Sequence, residues 1–265
     1  MTAAAPKRAR VLAVTNQKGG VGKTTTTVNL AAALATAGQR VLLIDLDPQG
    51  NATMGSGIDK RSLKTSVYQV LVDGARIEDA WVVSESGGYR VLPANRELAG
   101  AEVEMVDLDN RETRLRDALD PVLAAFDFVL IDCPPALNLL TVNALCASDA
   151  VMIPMQGEYY ALEGLSHLVN TVKRVRAHLN PRLEIEGLLR TMFDPRNTLA
   201  QQVSAQLQQH FLDKVYRTVI PRNVRLAEAP SYGMSVLKYD RQSKGALAYL
   251  ALAGELLSKH SRTPS

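Results

Sequence analysis

The sequence is poor in cysteine and has no long apolar segment. Its 265 residues include only two cysteines, Cys133 and Cys146, which do not form a Cys-x-x-Cys pair, and this disfavours a disulfide framework or a zinc site. We expect both to be small buried residues of a protein in a reduced cytoplasm. No stretch approaches about 18 uninterrupted apolar residues, and no apolar signal segment follows the basic start of the chain. We therefore expect a soluble protein that is not exported.

Aromatic residues are also scarce, at 5% of the chain, and the net charge of +3 is too small to identify a partner by itself. The distribution of charge is more informative, because residues 1–132 carry a net −2 and residues 133–265 a net +5. Within residues 165–245, 13 Lys and Arg stand against 6 Asp and Glu. This region could form a surface for nucleic-acid phosphates, and its few aromatics suit duplex DNA better than stacking on single strands. The alternative is a set of scattered, solvated cations.

The stretch NQKGGVGKTT at residues 16–25 carries the strongest local signal. Its glycines are Gly19, Gly20 and Gly22. They allow backbone conformations that turn N–H groups inward around an anion, at the N-terminus of a following helix. Lys23 can then reach the β- and γ-phosphates of a nucleotide, and the Thr24 hydroxyl can bind a magnesium ion. Gln17 occupies the first glycine position of the usual Gly-x-x-x-x-Gly-Lys-Ser/Thr pattern, so the loop is a variant.

The segments around this loop predict a strand–helix–strand unit. Residues 10–15 resemble a buried strand, residues 28–37 are alanine-rich and favour a helix, and residues 40–45 predict a second strand. A phosphate loop belongs between the first strand and the helix of such a unit, so the context favours a phosphate site over a glycine turn with a solvated lysine. A dinucleotide Rossmann fingerprint is excluded, since residues 20–25 lack its third glycine or alanine.

Carboxylates end two of the strand-like segments. Asp45 and Asp47 follow the second strand, and Asp132 ends a later apolar run at residues 127–132. The carboxyl ends of parallel strands lie at the sheet edge where the phosphate loop also lies, so these acids can face a nucleotide and its magnesium ion. The alternatives are that Asp45 and Asp47 only cap a turn and that Asp132 is structural. The phosphate loop upstream favours the metal–nucleotide interpretation.

Strand-like and helix-like segments alternate through the rest of the chain. The predicted strands are 89–93, 127–132, 149–154, 186–192 and 215–220, and the predicted helices are 67–72, 98–106, 113–125, a segment ending at 178, 199–212 and 246–259. This alternation predicts an α/β, doubly wound fold with a mostly parallel sheet covered by helices on both faces. We expect one domain at residues 11–259, between a disordered basic tail at 1–10 and a C-terminal tail at 260–265.

These motifs together resemble the ParA-type, Soj-like partition ATPases of the deviant Walker A family, which belong to the P-loop NTPases. The resemblance covers nearly the whole chain, from Val11 to about Leu257, and includes NQKGGVGKTT, DLDPQGNAT, VLIDCPP, EYYALEGLSHL and VIPRNVRLAEAPS. The last two motifs distinguish the partition branch from the wider superfamily. The resemblance implies an ATPase with the cofactors ATP and Mg²⁺, slow without its partner, in the cytoplasm at the nucleoid.

The resemblance also implies roles for individual residues. Lys18 would be the signature lysine that reaches across an ATP-dependent homodimer to the phosphates of the partner, Lys23 the phosphate-loop lysine, and Asp47 the residue that positions or activates the attacking water. The implied nucleotide contacts are Lys18, Gly19, Gly20, Val21, Gly22, Lys23, Thr24, Thr25, Pro221 and Asn223. The implied metal site consists of Thr24, Asp45 and Asp132.

Similar proteins bind duplex DNA without sequence preference as ATP dimers, and a ParB-type centromere-binding protein stimulates hydrolysis and releases them. The matching positions here are Arg196 and Arg225, with Arg222 as a neighbour. A MinD-like, membrane-associated division-site ATPase is the alternative, but it needs a basic amphipathic C-terminal helix, and the tail ALAYLALAGELLSKHSRTPS is small and apolar. An iron–sulfur carrier of the same superfamily would need cluster cysteines beyond the two present.

Overall fold

An eight-stranded sheet organises the described part of the chain. The structure is a computed structural model that describes residues 8–158 and 161–261. Its strands are β1 (Arg10–Val14), β2 (Val41–Asp45), β3 (Val82–Ser84), β4 (Tyr89–Leu92), β5 (Phe128–Asp132), β6 (Ala150–Gln156), β7 (Glu184–Phe193) and β8 (Val215–Pro221). They lie in the order β3-β4-β2-β5-β1-β6-β7-β8. Among these strands, β3 is antiparallel to β4, and all other neighbours are parallel.

Helices connect the parallel strands. They are α1 (Lys23–Thr36), α2 (Asn51–Gly55), α3 (Val67–Leu71), α4 (Leu98–Glu104), α5 (Arg114–Leu119), α6 (Leu139–Ala147), α7 (Ala161–His178), α8 (Thr198–Phe211), α9 (Val224–Glu228), α10 (Val236–Tyr239) and α11 (Lys244–Ser261). No helix within residues 8–158 and 161–261 combines the length and the apolar character that crossing a bilayer requires.

Two apolar cores lie on opposite faces of the sheet, because side chains alternate along each strand. Val11 and Ala13 of β1 belong to the core that includes residues of α3 to α8. Leu12 and Val14 of the same strand belong to the core formed with α1, α10 and α11. All four side chains are fully buried, which explains why β1 is a continuous apolar run rather than an alternating one.

The predicted fold class is confirmed, since the sheet is mostly parallel and helices cover both of its faces. The expected burial of Cys133 and Cys146 is also confirmed, and both thiols are free. Residues 1–7 and 262–265 of the two predicted tails lie outside the described residues, whereas Arg10 already begins β1 and α11 extends to Ser261.

Several elements differ from the sequence prediction. The prediction missed β3, which is a strand of three residues at the edge of the sheet. Its Val82 and Val83 are exposed, so the alternation of apolar and polar residues that identifies a half-buried strand is missing. The prediction also missed α6, which is apolar around most of its circumference because nearly every residue of it is buried. The helix predicted at 113–125 ends at Leu119 and continues as a 3₁₀ segment, where Pro121 cannot donate an α-helical hydrogen bond.

A buried carboxylate lies at the edge of the sheet opposite the carboxyl ends of the strands. Glu186 of β7 is 5% exposed and accepts ion-pair contacts from Arg10 at 3.2 Å, His260 at 3.3 Å and Lys259 at 3.9 Å. Burial opposes its ionisation, but the contacts with His260, Arg10 and Lys259 together outweigh burial and lower the pKa of Glu186 to about 2. The carboxylate of Glu186 in β7 therefore links β1, which carries Arg10, to α11, which carries Lys259 and His260.

Replacing this carboxylate should reduce stability in a pH-dependent way. We expect Glu186→Gln to lower the free energy of unfolding by about 1–3 kcal/mol near neutral pH, because it removes the buried negative charge that Arg10 and Lys259 contact. The native pKa of Glu186 lies below its ordinary value of 4.5, so its contribution is fully present above that pH and is lost as the pH falls toward the native pKa. Urea unfolding at a series of pH values measures both effects.

Glu184 provides the matched control. It pairs with the same Arg10 at 2.6 Å but is 48% exposed, so Glu184→Gln should change the free energy of unfolding by less than about 1 kcal/mol. Equal effects of the two substitutions, or a loss in Glu186→Gln that grows as the medium becomes more acidic, would contradict this account.

Candidate nucleotide site

The variant phosphate loop connects the end of β1 to the start of α1. Gly20 and Gly22 have φ of +73° and +85°, in the left-handed region that residues with a Cβ rarely adopt. Gly22 is the N-cap of α1, and its carbonyl accepts the N–H of Thr26 at 2.9 Å. The first turn of α1 thus begins directly after the glycines, and its free N–H groups are placed where the predicted anion-binding nest requires them.

Lys23 is the first residue of α1 and is only 8% exposed. Its Nζ donates to the carbonyl of Lys18 at 3.2 Å, so the side chain folds back along the loop. Burial lowers the pKa of Lys23, while the charges of Asp132 and Asp47 oppose that shift. The lysine is therefore held beside the carboxylates at the ends of the strands.

Asp45 and Asp132 are neighbours across the sheet. They end β2 and β5, they are register partners, and both are 0% exposed. Thr24 Oγ1 donates to Asp132 Oδ2 at 2.8 Å, and Thr27 Oγ1 donates to Asp132 Oδ1 at 3.1 Å. Two hydroxyls from consecutive turns of α1 thus fix one carboxylate beneath the phosphate loop.

Asp45 is held by a different set of donors. The N–H and Oγ1 of Thr53 donate to Asp45 Oδ2 at 2.8 and 2.7 Å, and the N–H of Asp47 donates to Asp45 Oδ1 at 3.1 Å. Asp45 therefore shapes the turn that carries Asp47, whose own Oδ1 accepts the N–H of Gln49 at 2.9 Å. Asp47 is partly buried and lies above this turn, in the wall of a cavity.

The two buried carboxylates fit a site for a divalent cation. Burial raises the pKa of both groups, and the charge of Asp45 raises that of Asp132 further. A magnesium ion nearby would relieve this repulsion, and oxygen donors such as the Thr24 hydroxyl suit it. Within the described residues no group of three or more His, Cys, Asp or Glu side chains could hold a metal alone. The arrangement therefore suits an ion that is also bound by nucleotide phosphates.

A cavity of about 610 Å³ is lined by Asp47 and by Thr24, which donates to Asp132, whereas the fully buried Asp45 and Asp132 are not in its wall. The predicted site residues in its wall are Gly19, Gly20, Gly22, Lys23, Thr24, Thr25, Asp47, Pro221, Arg222 and Asn223. The structure thus brings the phosphate loop together with the segment after β8, almost 200 positions later in the chain. Val21 is buried at 1% exposure beneath the loop rather than in the wall, and Lys18 is 42% exposed and paired with Glu158.

Sequence reasoning missed a supporting residue of the loop. Thr191, near the end of β7, donates from Oγ1 to the carbonyl of Val21 at 2.8 Å and lines the cavity. Its methyl group lies 3.8 Å from the place of a Cβ on Gly22. The sequence signal that could have identified Thr191 is its position as a polar residue at the end of an apolar strand. The carboxyl ends of parallel strands meet at the edge of the sheet where the site lies.

The C-terminal helices pack against α1 through buried polar contacts. Thr26 Oγ1 lies 3.2 Å from Tyr249 Oη of α11, and Tyr249 also lines the cavity. The N–H of Val236, which begins α10, donates to Asn29 Oδ1 of α1 at 2.7 Å. Because α1 begins at the phosphate loop, these contacts link the nucleotide site directly to α10 and α11 in the basic second half of the chain.

Two of the predicted DNA-binding arginines are held by acids in the structure. Arg196 pairs with Asp194 at 2.8 Å, and Arg225 pairs with Glu228 at 2.8 Å and Asp240 at 3.3 Å. Arg222 lies in the wall of the cavity, between Pro221 and Asn223.

Comparisons with known proteins identify relatives of this chain. A family model described as an AAA domain matches residues 9–185. The chain is 56% identical to the sporulation initiation inhibitor protein Soj of Bacillus subtilis, over 93% of this chain and 98% of that protein. It is 54% identical to the chromosome partitioning protein ParA of Caulobacter vibrioides, over 94% of each.

A solved structure gives the same result for the fold. The crystal structure of cobyrinic acid a,c-diamide synthase from Mycobacterium smegmatis with bound ATP analog and magnesium is 39% identical, with a TM-score of 0.84 over 96% of each chain. The predicted cofactors, ATP and Mg²⁺, agree with the molecules bound in that neighbour.

The glycine nest, the lysine at the start of α1 and the strand-end carboxylates define a P-loop nucleotide-binding protein of the ParA/MinD type. The full-length similarity to Soj and ParA narrows this class. The chain belongs to the ParA/Soj family of chromosome-partitioning ATPases, which confirms the resemblance seen in its motifs.

The contact between Thr191 and Val21 can be tested separately from the phosphate contacts. Thr191→Val removes the hydroxyl but keeps the shape, so it should weaken binding of an ATP analogue by about 2- to 10-fold through a less ordered loop. Thr191→Ser keeps the hydroxyl and should bind almost as tightly as the unmodified chain. Isothermal titration calorimetry gives both affinities, and a loss of the same size in Thr191→Ser would show that the methyl group matters rather than the hydrogen bond.

Proposed function

We propose that this chain is a magnesium-dependent ATPase of DNA partition, in which ATP drives dimerisation and sequence-non-specific binding of duplex DNA. Hydrolysis, stimulated by a ParB-type centromere-binding partner, then releases the dimer. The observation that carries the proposal is the segment after β8. Pro221, Arg222 and Asn223 line the nucleotide cavity, and the Asn223 side chain caps α9, the helix that carries Arg225.

The phosphate chemistry follows from the residues of the cavity. The N–H groups of the loop and Lys23 would bind the phosphates of ATP. Thr24 and Asp132 would hold Mg²⁺, with Asp45 supporting them by fixing the turn of Asp47. Bound Mg²⁺ would supply neutralisation of the phosphate charge. Three donors already occupy the oxygens of Asp45, which favours a supporting role over direct contact with the metal.

Asp47 is the proposed water-positioning residue. Its carboxylate lies in the cavity wall, and one oxygen is oriented by the N–H of Gln49, so the other can accept a hydrogen bond from water in line with the terminal phosphate. Lys18 lies at the same end of the sheet, and its side chain is 42% exposed, which suits a group that reaches into a second copy. Dimerisation would then depend on the nucleotide.

The Asp47→Ala variant separates ATP binding from hydrolysis. We expect hydrolysis to fall by roughly 100-fold or more while the ATP-dependent dimer and its DNA complex persist, because the phosphate contacts remain. Phosphate release with partner protein present is the measurement. Asp73→Ala, which removes an exposed carboxylate outside the cavity, is the control and should hydrolyse ATP normally. Normal turnover by Asp47→Ala would show that the assignment is wrong.

The DNA surface is proposed from charge and position. Residues 165–245 carry 13 Lys and Arg against 6 acids, and within this region α10 packs on α1 and α11, whereas α9 packs on α11. Arg225 is 49% exposed and shares its ion pairs with Glu228 and Asp240. DNA phosphates would have to replace these acids as its partners, so the contact should be strongly sensitive to salt.

DNA binding by the chain tests the proposed function. With an ATP analogue we expect duplex binding that weakens steeply as salt rises, and Arg225→Glu should reduce it by at least about 10-fold while nucleotide affinity stays nearly unchanged. Fluorescence anisotropy with labelled duplexes of unrelated sequence measures this. Arg76→Glu reverses a charge that is 72% exposed and precedes β3, at the opposite edge of the sheet, and should have little effect. Absence of ATP-dependent binding by the unmodified chain, or binding insensitive to salt, would overturn the proposal.

The proposed function also places the protein in the cytoplasm at the nucleoid. A non-specific DNA-binding dimer would coat chromosomal DNA for as long as ATP remains intact, and the partner would set the lifetime of that state. The specificity of the system would then reside in the partner and its centromere, because phosphate contacts carry no sequence information.

A further inference from the structure

We propose that Glu158 is a positioning residue for Lys18 that keeps this lysine within its own protomer until a second, ATP-bound copy offers phosphates in its place. The inference rests on the proposed function, because it concerns the regulation of the same site. It starts from one contact: Lys18 Nζ donates to Glu158 Oε2 in an ion pair that spans 140 positions of the sequence.

The backbone of Lys18 is fixed independently of this ion pair. The N–H of Lys18 donates to Asn16 Oδ1 at 3.0 Å, and Asn16 Nδ2 donates to the carbonyl of Pro154 in β6 at 2.8 Å. The carbonyl of Lys18 accepts Lys23 Nζ at 3.2 Å. Asn16 is 8% exposed, so this anchor is buried. Only the side chain of Lys18 is free to change partners.

The backbone position of Glu158 is also fixed. It follows the end of β6 by two residues, and its N–H donates to the carbonyl of Gln156 at 2.9 Å in a tight turn. A Cβ on the intervening Gly157 would lie 2.8 Å from Cα of Ala200 in α8, so only glycine allows the turn to pack this closely. The same strand thus anchors Asn16 through Pro154 and carries the carboxylate that receives Lys18.

The ion pair between Lys18 and Glu158 is weak enough to be exchanged for a contact between Lys18 and phosphate. The two side chains are 42% and 44% exposed, and an ion pair at such a surface changes an equilibrium constant by at most about five-fold. The terminal phosphates of ATP carry more negative charge than one carboxylate, and a dimer interface excludes the water that weakens the intramolecular pair. Lys18 therefore binds phosphate in preference to Glu158 when a second copy brings ATP. Breaking the ion pair with Glu158 adds a free-energy cost to dimerisation but does not prevent it.

In a symmetric dimer the cost of breaking this ion pair applies twice, because Lys18 must leave Glu158 in each protomer. Glu158→Gln keeps the shape of the side chain and removes its charge. We expect this substitution to lower the dissociation constant of the dimer formed with a non-hydrolysable ATP analogue by about 3- to 10-fold. It should also increase the sensitivity of dimerisation to salt, because forming the contact between Lys18 and phosphate then no longer breaks a compensating ion pair within each protomer.

A double-mutant cycle distinguishes positioning from a general structural effect. The dissociation constant is measured by sedimentation equilibrium for the unmodified chain, Glu158→Gln, Lys18→Ala and the double variant. Glu158→Gln should strengthen the dimer only when Lys18 is present and should change nothing in the Lys18→Ala background. Glu163→Gln, an exposed carboxylate early in α7, is the matched control and should leave the dissociation constant unchanged.

The possible outcomes separate this inference from the function beneath it. If the unmodified chain does not dimerise with the ATP analogue, the proposed function fails and the inference fails with it. If it dimerises but Glu158→Gln is no stronger, or gains equally without Lys18, the inference alone is overturned. A gain that requires Lys18 supports the exchange of carboxylate for phosphate.

Discussion

The structure depends on two aspartates forced side by side at the ends of neighbouring strands. The register that pairs β2 with β5 places Asp45 beside Asp132, and the two apolar cores on either side of the sheet keep both carboxylates fully buried. Burial raises the pKa of both carboxyl groups, and the charge of Asp45 raises the pKa of Asp132 further. Hydroxyls and N–H groups offset part of this cost, and we propose that the magnesium ion of a bound nucleotide offsets the rest.

The donors around this pair explain how the surrounding elements are connected. Thr24 and Thr27 tie Asp132 to α1, and Thr53 ties Asp45 to α2. The other side of α1 is linked to α10 and α11 through Asn29 and Thr26. A change at the phosphate loop therefore has a short, packed route to the basic second half of the chain, and we propose this route as the physical basis for coupling nucleotide to DNA.

Much of the site could be predicted from sequence because its chemistry is local. A glycine loop before a helix and acids at strand ends are readable wherever the flanking segments are apolar, as with Lys23 and Asp132. Contacts set by the order of the strands could not be predicted: Thr191 meets Val21, and Glu158 meets Lys18, only because β6 and β7 follow β1 across the sheet. Helix α6 was missed for a different reason, since burial of nearly all its residues removes the periodic pattern that identifies a helix.

The central claim is that the nucleotide decides whether two copies of this chain associate. Sedimentation velocity of the unmodified protein with Mg²⁺ and either ADP or a non-hydrolysable ATP analogue tests it most directly. The account predicts the mass of one chain with ADP and of two chains with the analogue, because only the analogue presents the terminal phosphate to Lys18 of the second copy. The same mass in both conditions would contradict it.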